Sequence, residues 1–474
     1  MADWERLRTD LAGEVVLPGD SGYGTARQLQ IAEFDAVRPA GVAYCETVTD
    51  IQTCLSFGRA HELHVTPRAG GHNFAGWSTT EGMVVDVSRM DGVGLTDRTV
   101  HLAPGAQAVD VLLELAAHDR QIITGVCPTV CPAGYVTGGG IGWQTRSHGV
   151  AADRLVGAQL VLADGRLVRC SADEEPDLFW ALRGGGGGNF GIVVDLEVLP
   201  TRVPRIVNFT AVWAWEHALD VLEQWQHWMA HGPAGLSSEI GAVLPDAAPG
   251  AVPFVMMHGG YAGPAEEFDA LLAELCRAAG ARPVSVEAEE LPYADAMLKL
   301  YRCEGLTPAQ RRRAGSNPEA QLPRQGFLRE RHRLFAAPMT RTLVEGALAV
   351  FDGDRRAGQF RYFALTALGG AANQVDPAET AYVHRDALFL VKFTLIGENA
   401  APGAAETAAA ERWTDLGFDL IDPHSNGHSY LNYPDPVLSD WKWAYYGENY
   451  ERLVEVKKTY DPTDFFTHPQ SIGS

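Results

Sequence analysis

The sequence predicts an α+β protein of two domains. Three observations carry this. The chain has 474 residues, too many for one domain at about 100–200 residues each. Its 50 glycines cluster early: Gly70-Gly71, Gly138-Gly139-Gly140 with Gly142, and Gly184 to Gly188 with Gly191. Near residue 203 the clusters stop, and amphipathic helical patterns begin to alternate with strand-like runs, the pattern of a second α+β unit.

The elements follow in order. Val42-Ala43-Tyr44-Cys45 reads as a strand, and Thr49 or Asp50 can cap a helix running to about His61. Leu63-His64-Val65 leads into a glycine turn, and Met83–Val87 and Val100–Leu102 read as strands. Asp110 to Ala117 is helical in pattern. Leu160 to Val168 reads as a hairpin, with Asp164-Gly165 suited to a two-residue type I′ turn. From Ile192 to Leu199, Val194 and Leu196 alternate with Asp195 and Glu197, a half-buried strand. Beyond 203, helices are expected near 216–230, 264–279, 338–350 and 404–420, with strands near 207–214, 252–258, 359–366 and 387–396. A Tyr- and Trp-rich stretch from 430 ends in a helix near 449–459. The expected domains are 1–203, 204–429, and 430–474 returning to the first.

Composition narrows the function. Hydrophobic residues make up 46% and charged residues 21%, too apolar a mixture for disorder. A net charge of −22 argues against a nucleic-acid or anionic-membrane partner. The opening Met1-Ala2-Asp3-Trp4-Glu5 lacks a signal-peptide pattern and no run of about 18 apolar residues occurs, so a cytoplasmic protein is expected. Seven cysteines, an odd number in a long chain, argue against a disulfide framework. Residues 302–333 carry eight arginines, consistent with a solvated face or with a patch for an acidic partner.

Four motifs are set aside. Gly19-Asp20-Ser21-Gly22 resembles a serine-protease nucleophile stretch, but no histidine precedes it. Gly186-x-Gly188-x-x-Gly191 has a helical pattern before it and a strand after it, the reverse of the dinucleotide fingerprint. Cys127 and Cys131 lack the second pair of a zinc site, and His61 and His64 are three apart rather than four. No metal is expected.

Three segments point to one phosphate-bearing cofactor. Arg68-Ala69-Gly70-Gly71-His72-Asn73-Phe74-Ala75-Gly76-Trp77-Ser78 can converge backbone N–H groups on a pyrophosphate, with Arg68 adding charge. Gly125-Val126-Cys127-Pro128-Thr129-Val130, continuing through Gly134 and Thr137 to Gly138 and Gly142, sets a thiol before a glycine-dense turn. Tyr430-Leu431-Asn432-Tyr433 offers two phenols and an amide. Spacing alone does not name the cofactor.

Together with Asp177-Leu178-Phe179-Trp180-Ala181-Leu182-Arg183-Gly184-Gly185-Gly186-Gly187 and the tail Tyr460-Asp461-Pro462-Thr463-Asp464-Phe465-Phe466, these segments resemble the berberine-bridge-enzyme-like branch of the vanillyl-alcohol oxidase superfamily of FAD-linked oxidases. The motifs occur in the family's order over nearly the whole chain. The resemblance implies a PCMH-type FAD-binding domain plus a substrate domain with an antiparallel sheet and flanking helices. It implies FAD bonded covalently through His72 to the 8α-methyl and through Cys127 to C6, the two residues being 55 positions apart. Arg68, Ala69, Gly70, Gly71, Asn73, Gly76, Ser78, Thr129, Val130, Gly134, Thr137, Gly138, Gly142, Ile192, Tyr430 and Asn432 are the further expected cofactor-binding residues. Cys131 stands where the family usually has glycine, which makes it a rival for the thioether, and Tyr135 stands where histidine is common.

The family's base is a tyrosine or a carboxylate near flavin N5. The strand that carries the carboxylate in some relatives reads Leu388-Phe389-Leu390-Val391-Lys392, without an acid. Tyr433 is therefore the expected base, with Lys392 or an arginine lowering its pKa, and Tyr382 is a second candidate. In the resembled family a small residue three positions after the cysteine, here Val130, goes with O2 as the electron acceptor. The expected activity is oxidation of a bulky, hydroxyl-bearing small molecule with H2O2 as product, in secondary-metabolite tailoring. The alternatives are a sugar or oligosaccharide oxidase, a flavin dehydrogenase with another acceptor, and a non-catalytic flavin-binding protein.

Overall fold

In the computed structural model, which describes residues 2–473, the chain builds three sheets. Met1 and Ser474, the outer bounds of the first and last expected segments, lie outside the described residues. The first sheet orders Glu14–Val16, Gly41–Tyr44, Met83–Asp86 and Val65–Arg68. Its last three strands are parallel, and the crossover is the helix Val48–Ala60, capped by Thr47 and Asp50 in a reciprocal capping box. The second sheet is antiparallel and contains Val93–Leu95, Val100–Leu102, Ile192–Val198, Leu155–Val161 and Leu167–Ser171.

One turn differs from expectation. The hairpin between Leu155–Val161 and Leu167–Ser171 closes through Gly165 N to Leu162 O and Leu162 N to Arg166 O. Only Gly165 there has positive φ, +91°. The loop is thus a three-residue connection, a type I turn followed by a left-handed glycine, rather than a two-residue type I′ turn, which needs two positive φ values.

The third sheet has seven strands, all antiparallel, in the order Ser285–Pro292, Arg205–Ala214, Phe254–Tyr261, Leu236–Leu244, Gln359–Ala367, Phe389–Gly397 and Phe327–Phe335. Three of these strands, Leu236–Leu244, Ser285–Pro292 and Phe327–Phe335, were not legible in the sequence. The helices Ala218–His231, Ala265–Ala279, Arg341–Asp352 and Ala404–Ile421 cover one face and form a core with Phe209, Trp213, Phe363, Phe393 and Trp413. The other face turns toward the first two sheets.

The arginine-rich stretch is neither a solvated face nor a free patch. Arg312 pairs with Asp110 at 2.9 Å, Arg324 with Asp35 at 2.7 Å and Arg329 with Glu33 at 2.8 Å. Arg331 reaches Asp415 and Asp435, and Arg333 reaches Asp422 and Asp440. These guanidiniums sew the later part of the chain to its N-terminal and C-terminal segments.

Residues 370–387 leave the third sheet and run back over the first half of the chain. Arg385 grips Asp153 with two hydrogen bonds of 2.9 and 2.7 Å and also donates to the carbonyls of Tyr382 and Ala372. Both partners are buried, with side-chain exposures of 2% and 10%. Removing one member of such a pair leaves an uncompensated buried charge. Asp153→Asn is therefore expected to lower unfolding stability by about 3–5 kcal/mol, measured by denaturant or thermal unfolding.

Candidate active site

The open face of the seven-stranded sheet and the glycine turns of the first domain enclose a cavity of about 2160 Å³, counting its mouth. Its walls come from both ends of the chain. Ala69 to Phe74 and Gly125 to Cys127 form one side, Gly186 to Asn189 with Ile192 another, and Tyr430 to Tyr433 a third. Leu328, Glu330, Phe360, Tyr362, Lys392, Thr394 and Ile396 form the sheet wall.

Strand alternation explains the sheet wall. In Phe327–Phe335, Leu328 and Glu330 face the cavity, while Arg331 and Arg333 point the other way, over the ring of Phe418. The sequence Arg329-Glu330-Arg331-His332-Arg333 looks like a solvated charge run, which hid the strand and the cavity residue within it.

The turn after Val65–Arg68 is built to meet an anion. Among the described residues, no backbone N–H from Gly70 to Phe74 donates a hydrogen bond within the chain. Five consecutive residues of the cavity wall therefore have unpaired N–H groups, an arrangement that favours a phosphate group. Arg68 stands in the same wall, with its guanidinium paired to Asp86 and donating to the carbonyl of Ala26 while Nη1 has no hydrogen-bond partner.

His72 and Cys127 both stand in the cavity wall. His72 Nε2 meets Thr129 Oγ1 at 2.8 Å. Burial and the nearby Arg313 lower the His72 pKa to about 3, so the ring is neutral and keeps a lone pair. Burial raises the Cys127 thiol above its usual range, with Lys392 acting in the opposite sense. Cys131 is more enclosed, 5% exposed, with its sulfur directed at the carbonyl of Gly105 at 3.3 Å.

The C-terminal turn holds the glycine turn in place. Tyr430 Oη accepts from Gly140 N at 3.0 Å, Ile141 N at 3.1 Å and Asn432 Nδ2 at 2.8 Å. Asn432 Nδ2 also donates to Tyr135 O at 2.9 Å. The hydroxyl of Tyr430 is thus turned to the backbone rather than into the cavity. A Cβ on Gly138 would collide with the amide of Asn432, so only glycine fits there. Tyr433 stacks on Phe74 with ring centroids 5.1 Å apart and planes 3° from parallel.

Several expected residues lie behind the wall rather than on it. Gly76 packs under the ring of Phe34 and Gly142 against the carbonyl of Thr124. Thr137 Oγ1 bonds back to Ala133 O at 2.6 Å, and Thr129 supports His72. Tyr382 does not reach the cavity. It is 4% exposed, packed on Gly139 and under the guanidinium of Arg385, so it is removed as a catalytic candidate. Phe74, Glu330, Phe360, Tyr362 and Thr394 were not singled out by the sequence, because each reaches the cavity only through the register of the sheet or the tilt of a turn.

The lower wall carries a second polar group. Lys392 Nζ lies 3.1 Å from Glu239 Oε2, which also accepts from Tyr362 Oη through its other oxygen at 3.0 Å. Lys392 sits 5.6 Å from the Tyr433 ring centre. It pulls the phenol pKa down, but burial, Glu330 and Glu239 push it up, and burial is the largest influence. The net effect is a phenol held well above its ordinary range. The expectation that Lys392 makes Tyr433 a ready base is not met, because desolvation outweighs a cation already paired with Glu239.

The comparisons with known proteins follow the same division of the chain. Residues 39–171 match the FAD binding domain family model, and residues 429–473 match the model described as berberine and berberine like. An uncharacterised FAD-linked oxidoreductase of Bacillus subtilis, YgaK, is 29% identical over 475 residues, covering 98% of both chains. The chain carries an FAD binding domain and a berberine-like domain, and the relatives it resembles are FAD-linked oxidoreductases of the berberine-bridge-enzyme-like kind. A carbohydrate oxidase of Microdochium nivale is 29% identical over 92% of this chain and 88% of its own. The solved structure of Physcomitrella patens BBE-like 1 superposes with a TM-score of 0.87 at 23% identity, covering 99% of this chain and 98% of that one. The fold is the family's, an α+β arrangement with the antiparallel sheet over the flavin-type domain. No helix among the described residues is long and apolar enough to cross a membrane.

The family's cofactor fits the residues present. The unpaired donors of Gly70 to Phe74 suit its pyrophosphate, and the glycines at 186–188 leave the opposite wall without side chains.

Buried neutral histidines give the fold an acid limit. Burial lowers His332 to about 3 and His468 to about 4, from 6.5 in the unfolded chain. The unfolded state binds their protons first, so their contribution to stability is complete above pH 6.5 and is lost as pH falls from there toward 3 to 4. Thermal unfolding is expected to weaken already between about pH 6.5 and 5, before most carboxylates titrate. His332→Gln should show a shallower decline over that window.

Proposed function

We propose that the protein is an FAD-linked oxidase whose flavin is held by two bonds, at His72 and Cys127, and which oxidises a hydroxyl-bearing, largely apolar small molecule with O2 as acceptor. The observation that carries this reading is the meeting, in one cavity, of an unpaired row of backbone donors with His72 and Cys127 on one side and Tyr433 on the other.

FAD, when bound, supplies a two-electron acceptor for the hydride of the substrate carbon. The chain supplies everything else. Gly70 to Phe74 hold the phosphates, and Asn432 and Tyr430 fix the turn that faces them. His72 is a neutral nucleophile, restrained by Thr129. Cys127 is the better thioether residue than Cys131, because it is partly open to the cavity while Cys131 is turned to backbone carbonyls. Tyr433, neutral near pH 7, orients the substrate hydroxyl by hydrogen bonding. Two tethers hold the ring without walls over its face, which leaves the sheet side open.

The substrate end of the cavity supports an apolar guest. Phe74, Leu328, Phe360, Tyr362 and Ile396 surround it, while Lys392 and Glu239 satisfy each other. Such a surface suits a polycyclic or aromatic alcohol, consistent with a tailoring step in secondary metabolism. The carbohydrate and chitooligosaccharide oxidases among the relatives show that sugar oxidation also occurs on related chains. The apolar surround here favours the first class.

Intact mass of the denatured protein tests the attachment. Wild type should carry one FAD mass; His72→Ala and Cys127→Ala should each retain it, and the double variant should lose it. A wild type that releases its flavin on denaturation overturns the covalent reading. The acceptor is tested without a substrate: photoreduced protein mixed with air-saturated buffer should reoxidise rapidly, and Val130→Leu should slow this at least tenfold, on the order of 1.4 kcal/mol. Slow reoxidation of wild type would identify a dehydrogenase instead.

A further inference from the structure

One half-buried carboxylate in the cavity wall has an oxygen that no partner accounts for. Glu330 lies at the middle of Phe327–Phe335, directly opposite Thr394 on Phe389–Gly397. Thr394 Oγ1 donates to Glu330 Oε2 at 2.6 Å, which fixes the carboxylate. The other oxygen, Oε1, is buried and accepts no hydrogen bond. The cations nearby are committed elsewhere: Lys392 to Glu239, and Arg331 to Asp415 and Asp435. Leaving such an oxygen unsatisfied carries its full desolvation cost, which is larger for a charged group than for a neutral one. A fold keeps that cost where a ligand relieves it.

The strand expected to carry an acid, Leu388 to Lys392, presents Lys392 instead, and the acid arrives from the neighbouring strand through the sheet register. We propose that Glu330 is the proton acceptor of the site: its carboxylate takes the proton of the substrate hydroxyl while the hydride on the same carbon leaves to FAD, giving the carbonyl product and a neutral Glu330. The proposal rests on the FAD-linked oxidase reading and assigns the base within it. Tyr433 remains the phenol that orients the hydroxyl.

The electrostatics agree with the geometry. Lys392 and Thr394 on one neighbouring strand favour the ionised carboxylate. Burial, Glu239 on Leu236–Leu244 and Asp435 in the C-terminal segment disfavour it, and burial is the largest of these, so the pKa lies above the usual carboxylate value. His332 on the same strand is neutral, and Tyr362 and Tyr433 are neutral phenols that face the same space. A carboxylate raised toward neutrality is better matched to accept an alcohol proton than an ordinary one.

The test uses the purified flavin-loaded full chain with 4-methylphenol, whose hydroxyl stays protonated over the range studied. Its binding is followed by perturbation of flavin absorbance between about pH 5 and 8. Wild-type affinity should rise with pH through one ionisation and then level off, and protons should be released on binding below that step. Glu330→Gln should bind about tenfold or more weakly, as expected for loss of a hydrogen bond to a charged acceptor, without the pH step. Glu330→Asp should restore the step. Absence of binding to wild type, or the same affinity and step in Glu330→Gln, overturns the assignment. Flavin content measured on the same samples separates the two failures. A flavin-free wild type defeats the oxidase reading and this proposal with it, whereas intact flavin with unchanged binding defeats the role of Glu330 alone.

Discussion

The site depends on one oxygen atom. Tyr430 Oη collects the N–H groups of Gly140 and Ile141 and the amide of Asn432. This joins the glycine turn of the first domain to the segment that returns after residue 429. The backbone of Tyr430 extends the join in a third direction, because its N–H donates to His332 Nε2 at 2.8 Å. One residue thereby ties together the flavin-type domain, the C-terminal turn and the substrate sheet. Tyr433 follows within the same turn, with its N–H bonded to Tyr430 O at 3.0 Å, so its phenol inherits the position. A buried network bonded in three directions is rigid, and rigidity here places the reacting groups.

The seven-stranded sheet solves a different problem. It needs one face against helices and one face toward a ligand, and strand alternation supplies both from the same strands. Arg331 and Arg333 stack over Phe418 and pair with acids behind the sheet. Their neighbours Leu328 and Glu330 turn to the cavity. Shifting the register by one residue would exchange the two sets. The ion pairs of the arginine-rich stretch therefore hold more than stability: they keep Glu330 on the cavity side.

Charge within the cavity is arranged in two separate units. Lys392 and Glu239 neutralise each other and brace Tyr362. Glu330 shares Thr394 and little else. Because the cation is already paired, it does not overcome the desolvation of Tyr433, and the phenol stays neutral. The same burial raises Glu330. Desolvation thus takes the base role from the phenol and makes the acid a better acceptor, by acting in the same direction on two groups of different ordinary pKa.

Much of this was written in local sequence. The glycine turns, the His72 and Cys127 positions, the strand–helix–strand start and the Tyr430–Tyr433 turn all depend on residues adjacent in the chain, where backbone sterics and short motifs act. The family itself was legible from several such motifs in order. Other features depended on contacts between distant segments. The pairing of Arg68 with Asp86 became visible only in the fold, and Tyr382 seemed a base until it proved to be packed under Arg385. Glu330 sat unnoticed in a run of charges because only pairing with a strand 64 residues away decides which face it takes. Local sequence determined which backbone turns are possible and which nucleophiles they carry. Tertiary structure decided which polar groups lose water and which find partners, because desolvation and pairing are properties of neighbours in space rather than along the chain.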